Sequence, residues 1–159
     1  MNQDGAAGLC IHALGYLRIF LNGRLLTFKM SKVGVLLVYL SLERNRPFSR
    51  EQLAALLWPE ADDRKARENL RQALYQLRRA FGDTLPQYLH VTYTTVHLHN
   101  REACHVDVLS IQRHVNQAEW AAAAALYKGE FLHGVQAKDS AVLSDWILAR
   151  QEQVHQLAL

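Results

Sequence analysis

A chain of 159 residues, 50% of them hydrophobic, holds enough apolar material for one or two small cored domains. Its 18 Lys and Arg against 15 Asp and Glu leave a net charge of +3, too mild to define a partner unless the cations are concentrated locally. No window approaches the roughly 20 apolar residues of a membrane-spanning helix. The opening MNQDGAAGLC lacks the basic-then-apolar pattern of a secretion signal, and two cysteines exclude a disulfide scaffold, so a cytoplasmic protein with reduced thiols is expected.

Leu9 to Leu14, Leu17 to Leu21 and Arg24 to Phe28 read as short strands, with Asn22-Gly23 a two-residue hairpin signal. An apolar helix follows from about Ser31 to Glu43, with Val33, Leu36, Leu37 and Leu40 as its buried stripe. Ser49, Arg50, Glu51 and Gln52 form a capping-box start, in which the Ser49 hydroxyl accepts from the Gln52 amide and the Gln52 side chain reaches back. The helix it opens turns Leu53, Leu56 and Leu57 inward and stops at Trp58-Pro59, because a residue before proline is pushed out of the helical region.

After a connector of a few residues, Asp62 is a good N-cap for a long amphipathic helix to Gly82. Leu70, Ala73, Leu74, Leu77 and Phe81 share its packing face. Lys65, Glu68, Gln72, Tyr75, Gln76 and Arg79 point outward, and Arg67, Arg71 and Arg78 flank the apolar stripe. Between Arg64 and Arg79, six Lys or Arg stand against one Glu, the local concentration that phosphate binding needs. Guanidinium groups pair with phosphates or guanine edges and Gln can bridge an adenine edge, whereas the plainer reading is a solvated helix whose basic stems cover the core.

Two helices joined so tightly, the second one basic, make a helix-turn-helix candidate. Tyr88 to Val91 and Val96 to His99, joined through Thr92, Tyr93, Thr94 and Thr95, read as a hairpin wing. Strands, three helices and a terminal hairpin describe an α+β winged helix with an added N-terminal sheet. From Val106 the pattern becomes all-helical: Asp107 to about Asn116, Glu119-Trp120 to Tyr127, and Ala141 to Leu159. The last helix carries Trp146, Ile147, Val154, Leu157 and Leu159, a stripe expected to pack toward Trp120, Leu126 and Phe131 or to self-associate. Full burial of the Trp146 indole would make its removal cost about 3 to 5 kcal/mol.

LLVYLSLERNRPFSREQLAALLWPEADDRKARENLRQALYQLRRAFG resembles the DNA-binding region of the antibiotic-regulatory (SARP-type) transcriptional activators, whose winged helix is similar to that of OmpR-type response regulators. HVDVLSIQRHV, ALYKGEFLHGV and SDWILARQEQV resemble the opening helices of the bacterial transcriptional activator domain, a tetratricopeptide-like array that follows in that family. Asp63 stands where the family often has proline, and Ile111 where it often has an aromatic residue. The resemblance implies a winged-helix DNA-binding domain over 9–102 and the first part of the activator domain over 106–159.

It also implies roles. Arg50 and Trp58 match positions that approach the phosphate backbone, and Arg78 one that contacts phosphate. Glu68, Gln72, Tyr75, Gln76 and Arg79 match positions facing the major groove or its rim, and Thr92, Tyr93, Thr94 and Thr95 would approach an adjacent minor groove. Arg64, Lys65 and Arg71 complete the candidate DNA-binding surface. Each position has a structural reading as well, with Trp58 as a core plug, Arg50 as a helix-start charge and the wing as an ordinary hairpin.

The function expected is that of a sequence-specific transcriptional regulator, an activator, with double-stranded operator DNA and RNA polymerase as partners, homodimerisation as a further expectation, and no cofactor. A protein-interaction adaptor whose basic helix binds an acidic partner is the alternative. His97 and His99 share a strand face near Cys104 and His105, but the spacing matches no standard metal pattern. No phosphate loop, nucleophile elbow or convergent catalytic set is legible, so no reaction is expected.

Overall fold

The computed structural model describes residues 7–43, 46–99, 103–137 and 139–158. The chain runs β1 (Leu9–His12), β2 (Arg18–Leu21), β3 (Arg24–Leu26), α1 (Ser31–Leu42), β4 (Phe48–Ser49), α2 (Arg50–Leu57) and α3 (Asp63–Phe81). A 3-10 helix (Gly82–Gln87) leads to β5 (Leu89–Val91), β6 (Thr95–Leu98), β7 (Cys104–Val106), α4 (Asp107–Asn116), α5 (Trp120–Leu126) and α6 (Ala141–Ala158). The expected domain end at 102 and Leu159 lie outside the described residues.

Packing divides the chain into two compact units, one of residues 1–25 with 105–159 and one of 26–104. The cut at 104/105 falls within the expected 102–106 boundary, but the N-terminal strands, expected with the winged helix, group with the C-terminal helices. The reason is non-local. β7 lies beside β1 in a sheet of order β3-β2-β1-β7, and the first residue of α4, Asp107, is buried with its carboxylate accepting from the Ala13 and Leu14 amides, both at 3.0 Å. Burial pushes the Asp107 carboxyl above the usual carboxylate range, although the same amides and that of Val108 pull it down.

In this first unit, β1 and β2 pair antiparallel with Leu9 opposite Leu21, and the turn after β2 has Asn22 and Gly23 both at positive φ, as the Asn-Gly signal requires. Leu9, Ile11, Val108, Ile111, Phe131, Leu143, Ile147 and Val154 are buried. Phe131 bridges to Leu14, and the Leu132 amide donates to the Ala13 carbonyl at 2.7 Å. Trp146 is only half-buried, edge-on to Phe131 at 5.7 Å, and Trp120 is 64% exposed. The expected anchor is therefore corrected: Leu143, Ile147 and Val154 form the inner stripe of α6, and Phe131, not Trp120, meets Trp146.

The second unit packs α1, α2 and α3 with a three-stranded sheet of order β4-β6-β5. α1 is buried on nearly every face, since Val35, Val38 and Leu42 are covered as well as the expected stripe. α2 begins with the capping box as read, Ser49 Oγ accepting from the Gln52 amide at 3.0 Å. It ends at Trp58, with Leu53, Ala54 and Leu57 buried and Leu56 half-buried. Lys32 donates to the Leu57 carbonyl, satisfying one of the acceptors left open at a helix C-terminus.

Candidate nucleic-acid interface

α3 has the Asp62 cap accepting from the Lys65 amide at 2.8 Å, with Asp63 in its first turn and Arg78 and Arg79 in its last, signs that complement the helix dipole. Leu70, Ala73, Leu74, Leu77 and Phe81 are buried, which fixes the outward ridge. At about 100° per residue, Glu68, Gln72, Tyr75 and Arg79 lie opposite the core. All four are exposed, as are Arg64, Lys65, Arg67, Arg71 and Arg78. The same geometry separates the flanks: Arg64, Arg67, Arg71 and Arg78 occupy one side of the ridge, Lys65 and Gln76 the other.

The two sides differ in chemistry. On the ridge, Arg79 donates to the Tyr75 hydroxyl at 3.5 Å, which raises the arginine above its ordinary value, and from the flank Lys65 reaches Glu68 at 3.9 Å. Gln76 is half-buried, its Oε1 accepting from the Met30 amide at 3.3 Å ahead of α1. It is thus turned toward the protein, unlike Gln72.

The arginine flank faces the wing. β4 is a strand that sequence reasoning missed. It pairs Phe48 with Val96 and Ser49 with Thr95, joining the start of α2 directly to the hairpin. The hairpin pairs Leu89 with Leu98, His90 with His97 and Val91 with Val96. Its turn is internally bonded: the Thr92 amide donates to the Thr95 carbonyl at 2.9 Å, and Thr92 Oγ1 accepts from the Thr95 amide at 2.9 Å and the Thr94 amide at 3.2 Å. Tyr93 projects from the tip, 98% exposed.

Arg50 ties the turn to α2. Its backbone amide donates to the Thr94 carbonyl at 2.8 Å and its Nε to the Thr92 carbonyl at 2.8 Å. Partial burial, and then the nearby Arg78 and Arg71 guanidiniums, pull Arg50 below the ordinary arginine value. Between α2, α3 and the wing lies a cleft of about 910 Å³ walled by Arg50, Arg67, Arg71, Arg78, Thr92 and Tyr93, with Glu51 the acid on its rim. Four guanidiniums thus converge on one concave surface, a setting suited to phosphate oxygens.

Of the residues expected at the interface, Arg50, Arg71, Arg78 and Thr92 to Thr94 meet at this cleft, while Glu68, Gln72, Tyr75 and Arg79 form the adjoining ridge. Trp58 is half-buried at the end of α2, with the Lys32 ammonium 5.5 Å above its ring. Arg67, a flanking residue outside the expected DNA-binding set, also belongs to the cleft; its signal in the sequence is the spacing of Arg67, Arg71, Leu74 and Arg78 at i, i+4, i+7 and i+11 along one helical edge. Among the described residues no three His, Cys, Asp or Glu side chains come together as metal ligands, so His97, His99, Cys104 and His105 do not assemble into such a site. No helix among them is long and apolar enough to cross a membrane.

These features define a winged helix, and residues 30–95 match the family described as "Transcriptional regulatory protein, C terminal". The fold is similar to that of Mycobacterium tuberculosis EmbR, solved in complex with a low affinity phosphopeptide, with a TM-score of 0.68 and 19% identity over 96% of this chain. The likeness covers 44% of the EmbR chain, so this chain spans less than half its length. No curated protein matches the sequence. The match over 30–95 and the likeness of fold bear out the α+β winged-helix reading.

Proposed function

We propose that this chain is a sequence-specific DNA-binding transcriptional regulator, acting as an activator, that reads duplex operator DNA with α3 and the hairpin wing. The observation that carries the reading is the division of labour on α3: an exposed polar ridge beside an edge of arginines that faces the wing across a concave cleft. Arg64, Arg67, Arg71 and Arg78 supply the sequence-independent attraction to phosphate, and Gln72, Tyr75 and Arg79 the contacts to base edges. Trp58 lies alongside the phosphate backbone, and Lys65, Glu68 and Gln76 border the reading ridge.

In this reading residues 9–102 serve as the DNA-binding domain and 106–159 as the start of an activator domain. RNA polymerase and a second copy of the chain are the protein partners, the cytoplasm is the site of action, and no catalysis is involved. Selection of bound duplexes from a random pool, followed by salt titration on the best sequence, tests it. A recovered consensus with affinity falling steeply in salt is expected. Failure to enrich any sequence, with no salt-dependent binding, would favour the adaptor alternative.

A further inference from the structure

The family resemblance gives Arg50 a phosphate to hold; the structure gives it a different partner. We infer that Arg50 is a positioning residue that locks the wing turn at a fixed distance from α3, so that the tip and the reading ridge engage DNA as one preformed surface. Two of its groups are bonded to the turn from opposite ends, the amide to Thr94 and Nε to Thr92, both at 2.8 Å, so the turn carbonyls are held from within the unit. Ser49, one residue earlier, pairs with Thr95, which leaves the side-chain bond as the contact that reaches back to the far side of the turn.

The arrangement has an electrostatic cost that a purely structural tie would avoid. Burial first, and then Arg78 and Arg71 on the same cleft, oppose the charge of the Arg50 guanidinium, and Glu51 is the acid lining the cleft. A neutral donor would hold Thr92 without that repulsion. An arginine does both tasks: Nε fixes the wing, while the terminal nitrogens keep positive charge at the cleft mouth until a phosphate relieves it. The wing tip it positions is short and polar apart from Tyr93, whose fully projecting ring gains a defined place only if the turn beneath it is rigid. Preorganisation of this kind raises affinity by removing the ordering cost from the binding step.

This inference rests on the DNA-binding reading for its consequence but not for its first test. Amide hydrogen exchange in the free protein, comparing wild type, Arg50→Met and Arg50→Lys, reads the tie directly. Exchange at Thr92, Thr94 and Thr95 is expected to quicken about tenfold or more in Arg50→Met, while amides of α1 and α3 stay protected. Unchanged wing exchange would overturn the inference whatever the protein binds.

The second test is a double-mutant cycle on the selected duplex. If Arg50 positions the tip, the affinity lost through Tyr93→Ala shrinks by about fivefold in the Arg50→Met background, while the loss through Arg79→Ala stays the same. Arg50→Lys keeps the charge, so it should restore the salt dependence without restoring the coupling to Tyr93. Full rescue by lysine of affinity and coupling together would make Arg50 a plain phosphate contact. Absence of any duplex binding, with wing exchange altered as expected, would overturn the DNA-binding reading and leave the positioning role standing.

Discussion

Neutralising the arginine edge of α3 gives a quantitative test of the interface. Arg67, Arg71 and Arg78 are exposed, line the same cleft, and lie on the flank of the ridge that faces the wing. Each phosphate contact on B-DNA contributes about 0.9 to the slope of log affinity against log salt, so replacing all three by glutamine should lower that slope by about 2.7. Between about 50 and 200 mM salt, a fourfold change, wild type should therefore lose about 40-fold more affinity than the triple variant. The charge change alone is not the cause claimed. A control variant with Arg24, Arg113 and Lys128, exposed residues of the other unit, replaced by glutamine carries the same net charge and should keep the wild-type slope. Fluorescence anisotropy with one labelled duplex at four or five salt concentrations is sufficient. Equal slopes for the two triple variants would refute the argument, because they would reduce the interface to net charge; an unchanged slope in the cleft variant would place the phosphates elsewhere.

Gln72→Ala should alter the preferred sequence, with about 1 to 3 kcal/mol of discrimination lost at one base pair, whereas Gln76→Ala, which removes the acceptor for the Met30 amide, should lower thermal stability and leave the selected sequence as in wild type. Selection profiles and melts of the two variants decide between these assignments. Phe131→Ala, at a side chain 0% exposed, should cost about 3 to 5 kcal/mol, and Trp146→Ala, half-buried, clearly less; urea denaturation in which Trp146 proved the costlier would contradict the packing described. Asp107→Ala strips partners from two buried amides, Ala13 and Leu14, and should cost about 2 to 5 kcal/mol. Because burial raises the Asp107 carboxyl in the folded state, the native form binds its proton more tightly than the unfolded form. Its contribution is present below the ordinary carboxylate range and is lost as pH rises through the raised value. The stability of wild type relative to Asp107→Asn should then decline from acid toward neutral pH, and a difference that grows with pH would reverse the assigned direction.

Much of this molecule is written locally. The Ser49 to Gln52 capping box, the Asp62 cap, the stop at Trp58-Pro59 and the Asn22-Gly23 turn are each decided by a few neighbouring residues, and each appears as read. The 3.6-residue period does the same for α3, because burying Leu70, Ala73, Leu74 and Leu77 forces Gln72, Tyr75 and Arg79 outward. What such signals do not carry is the identity of a distant partner. Phe48-Ser49 is too short to announce itself as a strand and becomes one because Thr95 and Val96 offer it an edge. Gln76 and Gln72 are the same residue on the same helix, and only the Met30 amide separates a structural acceptor from an exposed side chain. Arg50 reads as a helix-start cation until the Thr92 carbonyl stands beside it. Asp107 reads as the start of a helix and is also the buried acceptor for amides more than ninety residues earlier in the chain. Sequence by itself determined the helices, the hairpins and most of the faces they bury, since those follow from the conformational preferences of adjacent residues. Tertiary structure alone decided which polar groups were satisfied inside the protein and which remained for a ligand, because a hydrogen bond depends on where two groups meet in space and not on how they are spaced along the chain.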